Sequence, residues 1–166
     1  MGRPLVILWL SAIAIIATTT GQVRLEELSE LQQKALDLTL EKFHESKDII
    51  KGFKVVSLQE ATETEFSAGT FVSLQLNLKQ TGCSKSNRAR ADCKVLRNGR
   101  EINCTACFKF ETYDEMVLPP FVDCLPVHHL KKERKGMRAK ACKQIEQKDE
   151  SGLGFPGVFS FSKSNV

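Results

Sequence analysis

No cysteine precedes Cys83, and no apolar run beyond the first 17 residues approaches the roughly 20 residues needed to cross a bilayer. The 166-residue chain has no internal repeat and no low-complexity segment, which excludes solenoids and compositionally disordered linkers. It also lacks a nucleophile motif, a phosphate-binding loop and a constellation of carboxylates. His128-His129 is the one histidine pair, and His44 lies far from it in sequence. Catalytic residues, a metal site and a cofactor are therefore not expected, and the chain reads as a non-enzyme. Net charge is also small: +4 is too little to name a partner by itself, and no nucleic-acid partner is expected from it.

What the chain does have begins at its N-terminus. Arg3 is the lone charge before an apolar run from Leu5 to Ala17, and the small polar residues Thr18-Thr19-Thr20-Gly21 follow. A weakly basic start, a short apolar core and a small-residue exit form the pattern of a secretory signal peptide. Residues 1–21 are assigned to it, with cleavage after Gly21 and the mature chain secreted into the extracellular space. The remainder is the size of one ordinary domain, expected over residues 22–150 and as a monomer.

Cys83, Cys93, Cys104, Cys107, Cys124 and Cys142 are even in number and confined to the second half. In an exported chain they are expected as disulfides. Spacing does not choose among the possible pairings. A zinc site built on Cys104-x-x-Cys107 and a thioredoxin-like redox pair are the rival readings, both weaker outside the cell.

Periodicity gives an α+β order. Ser29 and Gln32 form a capping box before an apolar stripe of Leu28, Leu31, Ala35, Thr39 and Phe43, widened by Leu36 and Leu40. One amphipathic helix is predicted near residues 29–45. Phe53, Val55 and Leu58 mark a strand in which Val56 blurs the alternation. Leu74, Leu76 and Leu78 alternate with polar residues in a second strand, with Phe71 assigned to the apolar face and Val72 as an interruption. One sheet face should then be apolar and the other solvated. Asn98-Gly99, flanked by Val95-Leu96 and Ile102, signals a tight turn. Residues 107–110 and 121–125 are two further strands, joined by a loop with Pro119-Pro120. The expected fold has the helix across an antiparallel sheet of about four strands, then a disulfide-stapled C-terminal half and a mobile tail.

Two basic clusters and an aromatic end stand apart from that core. Lys131, Lys132, Arg134 and Lys135, with Arg138, Lys140 and Lys143, form one cluster on a helical or loop segment. Lys79, Lys85, Arg88 and Arg90 form the other. Heparin-like polymers and anionic membranes are the partners such clusters would take, and an antimicrobial role would follow from the latter. Asn103-Cys104-Thr105 is formally a glycosylation sequon. Phe155-Pro156-Gly157-Val158-Phe159-Ser160-Phe161-Ser162 is an uncharged aromatic stretch closed by the stub Lys163-Ser164-Asn165-Val166. Free ends are normally polar, so an apolar end either docks on the domain as a last strand or meets a partner. A trypsin-like protease cutting after Lys163 would expose it.

One helix, then strands, then cysteines confined to the second half resembles the cystatin/cathelicidin superfamily. More narrowly, the chain resembles the chemerin family over essentially its whole length. The resemblance runs through Glu27-Leu28-Ser29-Glu30 leading to Phe43-His44, Ala68-Gly69 with Phe71-Val72, and Gln80-Thr81 before Cys83. It continues through Cys93-Lys94-Val95, Asn98-Gly99-Arg100 and Cys104-x-x-Cys107, and is most specific in Phe155-Pro156-Gly157, Phe159 and Phe161-Ser162-Lys163. The resemblance implies the pairs Cys83–Cys93, Cys104–Cys124 and Cys107–Cys142. It also implies a secreted precursor of a chemoattractant and adipokine. Extracellular serine proteases and a carboxypeptidase trim residues 163–166, and the tail of residues 151–162 then activates a chemokine-like G-protein-coupled receptor. Ser162 becomes the new end, reached after Lys163 is cut and removed or by an elastase-like cut after Ser162 itself. The receptor-binding residues would be Phe155, Pro156, Gly157, Phe159, Phe161 and Ser162. Cysteine-protease inhibition of the cystatin type is a poorer fit, because the Gln-x-Val-x-Gly wedge is replaced by Glu65-Phe66-Ser67-Ala68-Gly69, which keeps only the glycine.

Overall fold

The computed structural model describes residues 23–67, 69–111 and 119–147. Helix α1 (Glu30–Glu45) is followed by strands β1 (Lys51–Phe66), β2 (Gly69–Ser84), β3 (Glu101–Phe110) and β4 (Phe121–Pro126), then helix α2 (Lys132–Glu146). The strands form one antiparallel sheet in the order β1-β2-β3-β4.

Helix α1 starts where its capping box puts it. The Ser29 hydroxyl accepts from the Gln32 N–H at 3.1 Å, and the Gln32 side chain accepts from the Ser29 N–H at 3.1 Å, so two orphan donors are satisfied. The same hydroxyl donates to Glu63 on β1, tying the helix start to the sheet. Ala35, Leu36, Thr39 and Phe43 are buried, and α1 touches all four strands. The buried Thr39 hydroxyl donates to the Ala35 carbonyl at 2.7 Å, so the one polar group in the stripe has its partner.

The apolar sheet face consists of Phe53 and Leu58 on β1, Val72, Leu74, Leu76 and Leu78 on β2, and Ile102, Cys104, Ala106, Phe108 and Phe110 on β3. Parity along β2 corrects the strand reading: Val72 is in phase with the three leucines, and Phe71 points the other way. On β1, Val55 pairs with Leu78 and Ser57 with Asn77, so Val56 is the extra residue of a β-bulge. A second shift between Leu58 and Glu60 carries the phase to Ala61, which is why alternation looked blurred.

Two further expectations are corrected. The Asn98 turn exists, with the Gly99 N–H bonded to the Leu96 carbonyl at 3.1 Å, but its flanks do not pair with each other. Val95 bridges Thr81 and Ile102 pairs with Leu78, so both flanks return to β2. The polar sheet face is left to solvent only in part: Gln75 on β2 and Glu60 on β1 are exposed, but β3 is covered. Residues 102–110 of β3 are buried on both sides, because α2 covers the face opposite α1.

Three disulfides are present. Cys83–Cys93 closes the loop after β2, Cys104–Cys124 joins directly opposed residues of β3 and β4, and Cys107–Cys142 fastens α2 to the sheet. These are the pairs the family resemblance implies. Cys104 and Cys107, three apart on a strand, lie on opposite faces, so the Cys-x-x-Cys sulfurs bond to different partners.

Candidate functional site

Helix α2 has almost no apolar stripe to bury; its one buried residue is Arg138. Charged hydrogen bonds and the Cys107–Cys142 bridge hold it instead. Arg138 Nε donates to Asp123 Oδ2 at 2.6 Å, and one Nη donates to the carbonyls of Asn103 and Asp123 at 3.1 and 3.0 Å. The other Nη donates to Asn103 Oδ1. Arg134 adds a second guanidinium on the Asp123 carboxylate. Partial burial opposes ionisation of Asp123, but hydrogen bonds from Arg134 and Arg138, with their charges, outweigh it and hold the carboxyl below its usual range. At the far end of α2, the fully buried Lys109 ammonium donates to the Glu146 carbonyl at 2.7 Å and sits 4.3 Å from the Phe66 ring centroid. The helix is thus fixed at its middle, by a disulfide, and at its C-terminal turn.

The two basic clusters differ in what their charges do. Lys79 pairs with Glu101 at 2.7 Å, and Arg90 pairs with Asp92 at 2.8 Å. Lys85 donates to the carbonyls of His44 and Ser46 at the C-terminal end of α1, where helix carbonyls need donors. Those cations are engaged within the fold. On α2, Arg134 and Arg138 are spent on Asp123, whereas Lys131, Lys132, Lys135, Lys140 and Lys143 are exposed.

Three other sequence features resolve into structure. Gly69, the glycine kept at the inhibitor-type wedge position, has φ +141°, and a Cβ there would collide with the Phe110 carbonyl. Its retention therefore follows from hairpin packing and needs no protease. Asn103 of the sequon is 5% exposed, and its amide nitrogen donates to Asn77 Oδ1 at 2.8 Å and Gln59 Oε1 at 3.3 Å, which leaves no room for a glycan. His44 is buried: its Nδ1 bonds the Leu40 carbonyl at 2.7 Å, and its Nε2 accepts from the Phe53 N–H at 3.1 Å. That pairing fits the neutral ring with its proton on Nδ1. Burial lowers its pKa from 6.5, against the Leu40 bond, with Arg88 and Lys85 lowering it further.

Sequence reasoning missed His44 as a core residue, although it continues the Leu36–Leu40 spacing by four. It also missed the Asn103–Asp123–Arg138 cluster, whose members no local pattern links. The residues expected to face a receptor, Phe155, Pro156, Gly157, Phe159, Phe161 and Ser162, lie outside the described residues, as do Gly21, Lys163 and the Leu5–Ala17 run. Among the described residues, no helix is long and apolar enough to cross a membrane.

Comparison with known proteins places this architecture. No protein-family model matches the chain. Retinoic acid receptor responder protein 2 (chemerin) of Homo sapiens is 34% identical over 159 residues, covering 95% of this chain and 92% of that protein. The Bos taurus protein of the same name is 35% identical over 140 residues, covering 83% and 86%. The chain belongs to the chemerin family. Its solved structural neighbours are cystatin-like. The crystal structure of Al-CPI matches at TM-score 0.50 and 18% identity, covering 60% of this chain and 92% of that one. Dimeric human cystatin F matches at 0.50 and 20%, covering 65% and 86%. Those identities carry the fold alone. In this chemerin-family chain, the helix that precedes the aromatic C-terminal stretch is the one fastened to the sheet by Cys142 and Arg138.

Proposed function

We propose that the chain is a secreted, non-enzymatic precursor whose C-terminal peptide, once trimmed, activates a chemokine-like G-protein-coupled receptor and so drives leukocyte chemotaxis, inflammation and adipocyte regulation. Residues 1–21 direct export, residues 22–150 form the cystatin-like body, residues 151–162 are the agonist and residues 163–166 the blocking propeptide. The observation that carries this reading is the Phe155–Ser162 stretch at the end of a chain of this family. Three disulfides suit an oxidising compartment and support export.

In this reading a serine protease cuts after Lys163 and a carboxypeptidase removes the lysine, or an elastase-like enzyme cuts after Ser162 directly. Phe155, Phe159 and Phe161 are the anchors, since a few buried aromatics dominate small interfaces. Pro156-Gly157 turns the peptide so that the rings project together. The stub blocks entry by its bulk and its wrong terminus. Replacing the three phenylalanines with alanine in a form ending at Ser162 tests the assignment. At about 2 kcal/mol or more per anchor, each loss costs about 30-fold in potency, and the triple variant should be silent with an unchanged circular dichroism spectrum. A triple variant that still signals at the parent potency refutes it.

A further inference from the structure

We infer that the exposed face of α2 is a docking surface for a sulfated polysaccharide chain. Lys132, Lys140 and Lys143 fall within about 80° of the helix circumference and span about 16 Å along its axis. None of the three has an acidic partner among the described residues, in contrast to Lys79, Arg90 and Arg134. Lys131 and Lys135 flank the first turn, and Glu133 and Glu146 are the acids at the borders of the stripe.

Gly136 lies between Lys132 and Lys140 on this stripe, one turn from each. A Cβ there would meet nothing within 4 Å, so no packing contact among the described residues calls for a glycine. Mid-helix glycine weakens a helix, yet here it leaves bare backbone between two lysines, where a bulky anionic group can approach closely.

The chemistry favours a hydrophilic polyanion over a lipid surface. A membrane-binding helix needs an apolar face as well as cations. The inner face of α2 is already committed to Asp123, Asn103 and the Cys107 bridge, and the lysine stripe itself carries no apolar residue. Met137, 61% exposed, lies about 60° beyond Lys140 and is the one large exposed apolar side chain of α2. Spaced ammonium groups without a hydrophobic partner match repeating sulfates. This inference stands apart from the tail: it needs neither trimming nor a receptor, and would let the folded body be retained on a matrix.

The full-length protein can be tested on immobilised heparin, on fully desulfated heparin and on vesicles of mixed phosphatidylserine and phosphatidylcholine. The variant Lys132→Gln/Lys140→Gln/Lys143→Gln is compared with Lys47→Gln/Lys94→Gln/Arg97→Gln, which removes the same charge from exposed positions elsewhere. All six are surface changes expected to leave folding intact. The α2 variant should lose about tenfold or more in heparin affinity, and its salt dependence should shallow by about one unit per lysine. The control should shift less than about threefold. Equal losses in both variants would reduce the effect to net charge and overturn the inference. So would equal binding to desulfated heparin, or binding to vesicles without binding to heparin.

Discussion

The two faces of the sheet are held by different forces. Against α1 lie phenylalanines, leucines and alanines, and stabilisation there is the burial of apolar area. Against α2 lie Asn103, Asp123 and Cys107, bound by a guanidinium and a disulfide. The first arrangement tolerates salt, and its one acid-sensitive group is the buried His44. The second depends on ionised groups and an intact bridge, and it carries the segment from which the tail emerges. The apolar and the polar anchorage of the domain thus lie on opposite sides of one central strand, β3.

Substitutions on each side should separate the two. Phe53→Ala removes a ring stacked edge-on against Phe43 and opens the apolar core, so it should cost about 3–5 kcal/mol in urea unfolding. Asp123→Ala strands the buried Arg138 guanidinium without its counter-charge and should cost about 3 kcal/mol, a loss that shrinks in strong acid. A comparable acid dependence for Phe53→Ala would erase the distinction. Ser29→Ala removes only a cap and should cost about 1 kcal/mol. Gly136→Ala, smallest of the four, should raise stability by about 0.5–1 kcal/mol, since nothing crowds the added methyl.

Acid should act on the faces in turn. His44 is neutral when folded and its pKa is lowered, so the unfolded chain takes up its proton first. Stability contributed on the α1 side is full above about pH 6.5 and declines as pH falls below it, through the folded pKa. Asp123 has a folded pKa held below the ordinary 3.8, so its contribution persists until pH falls past that value and is lost through the folded one. Thermal unfolding followed from pH 8 to pH 2 should therefore show two declines. His44→Gln should remove the upper one and Asp123→Asn the lower.

Legibility followed the same division. Helix α1 was readable because its stripe and capping box are local, and β2 because Leu74, Leu76 and Leu78 alternate cleanly. The outer half of β1, Gln59 to Phe66, gave no signal: Glu60, Thr62, Glu63 and Thr64 have no apolar period, and pairing with β2 alone makes them a strand. Helix α2 stayed ambiguous for the reason that defines it. It is held by Arg138 and Cys142, whose partners lie 15 to 35 residues away. Burial of His44 escaped notice because a histidine in an apolar stripe reads as surface until the Phe53 N–H is seen to need an acceptor. Aromatic identity and order in residues 155–161 are legible in the sequence alone, and these residues lie outside the described ones.

The most direct test compares calcium signalling by the full-length chain and by a form ending at Ser162, in cells bearing a chemokine-like receptor. The shorter form should be at least about tenfold more potent, with both forms giving the same circular dichroism spectrum and unfolding midpoint. Equal potency of the two, or silence of both, would contradict the latent-agonist reading.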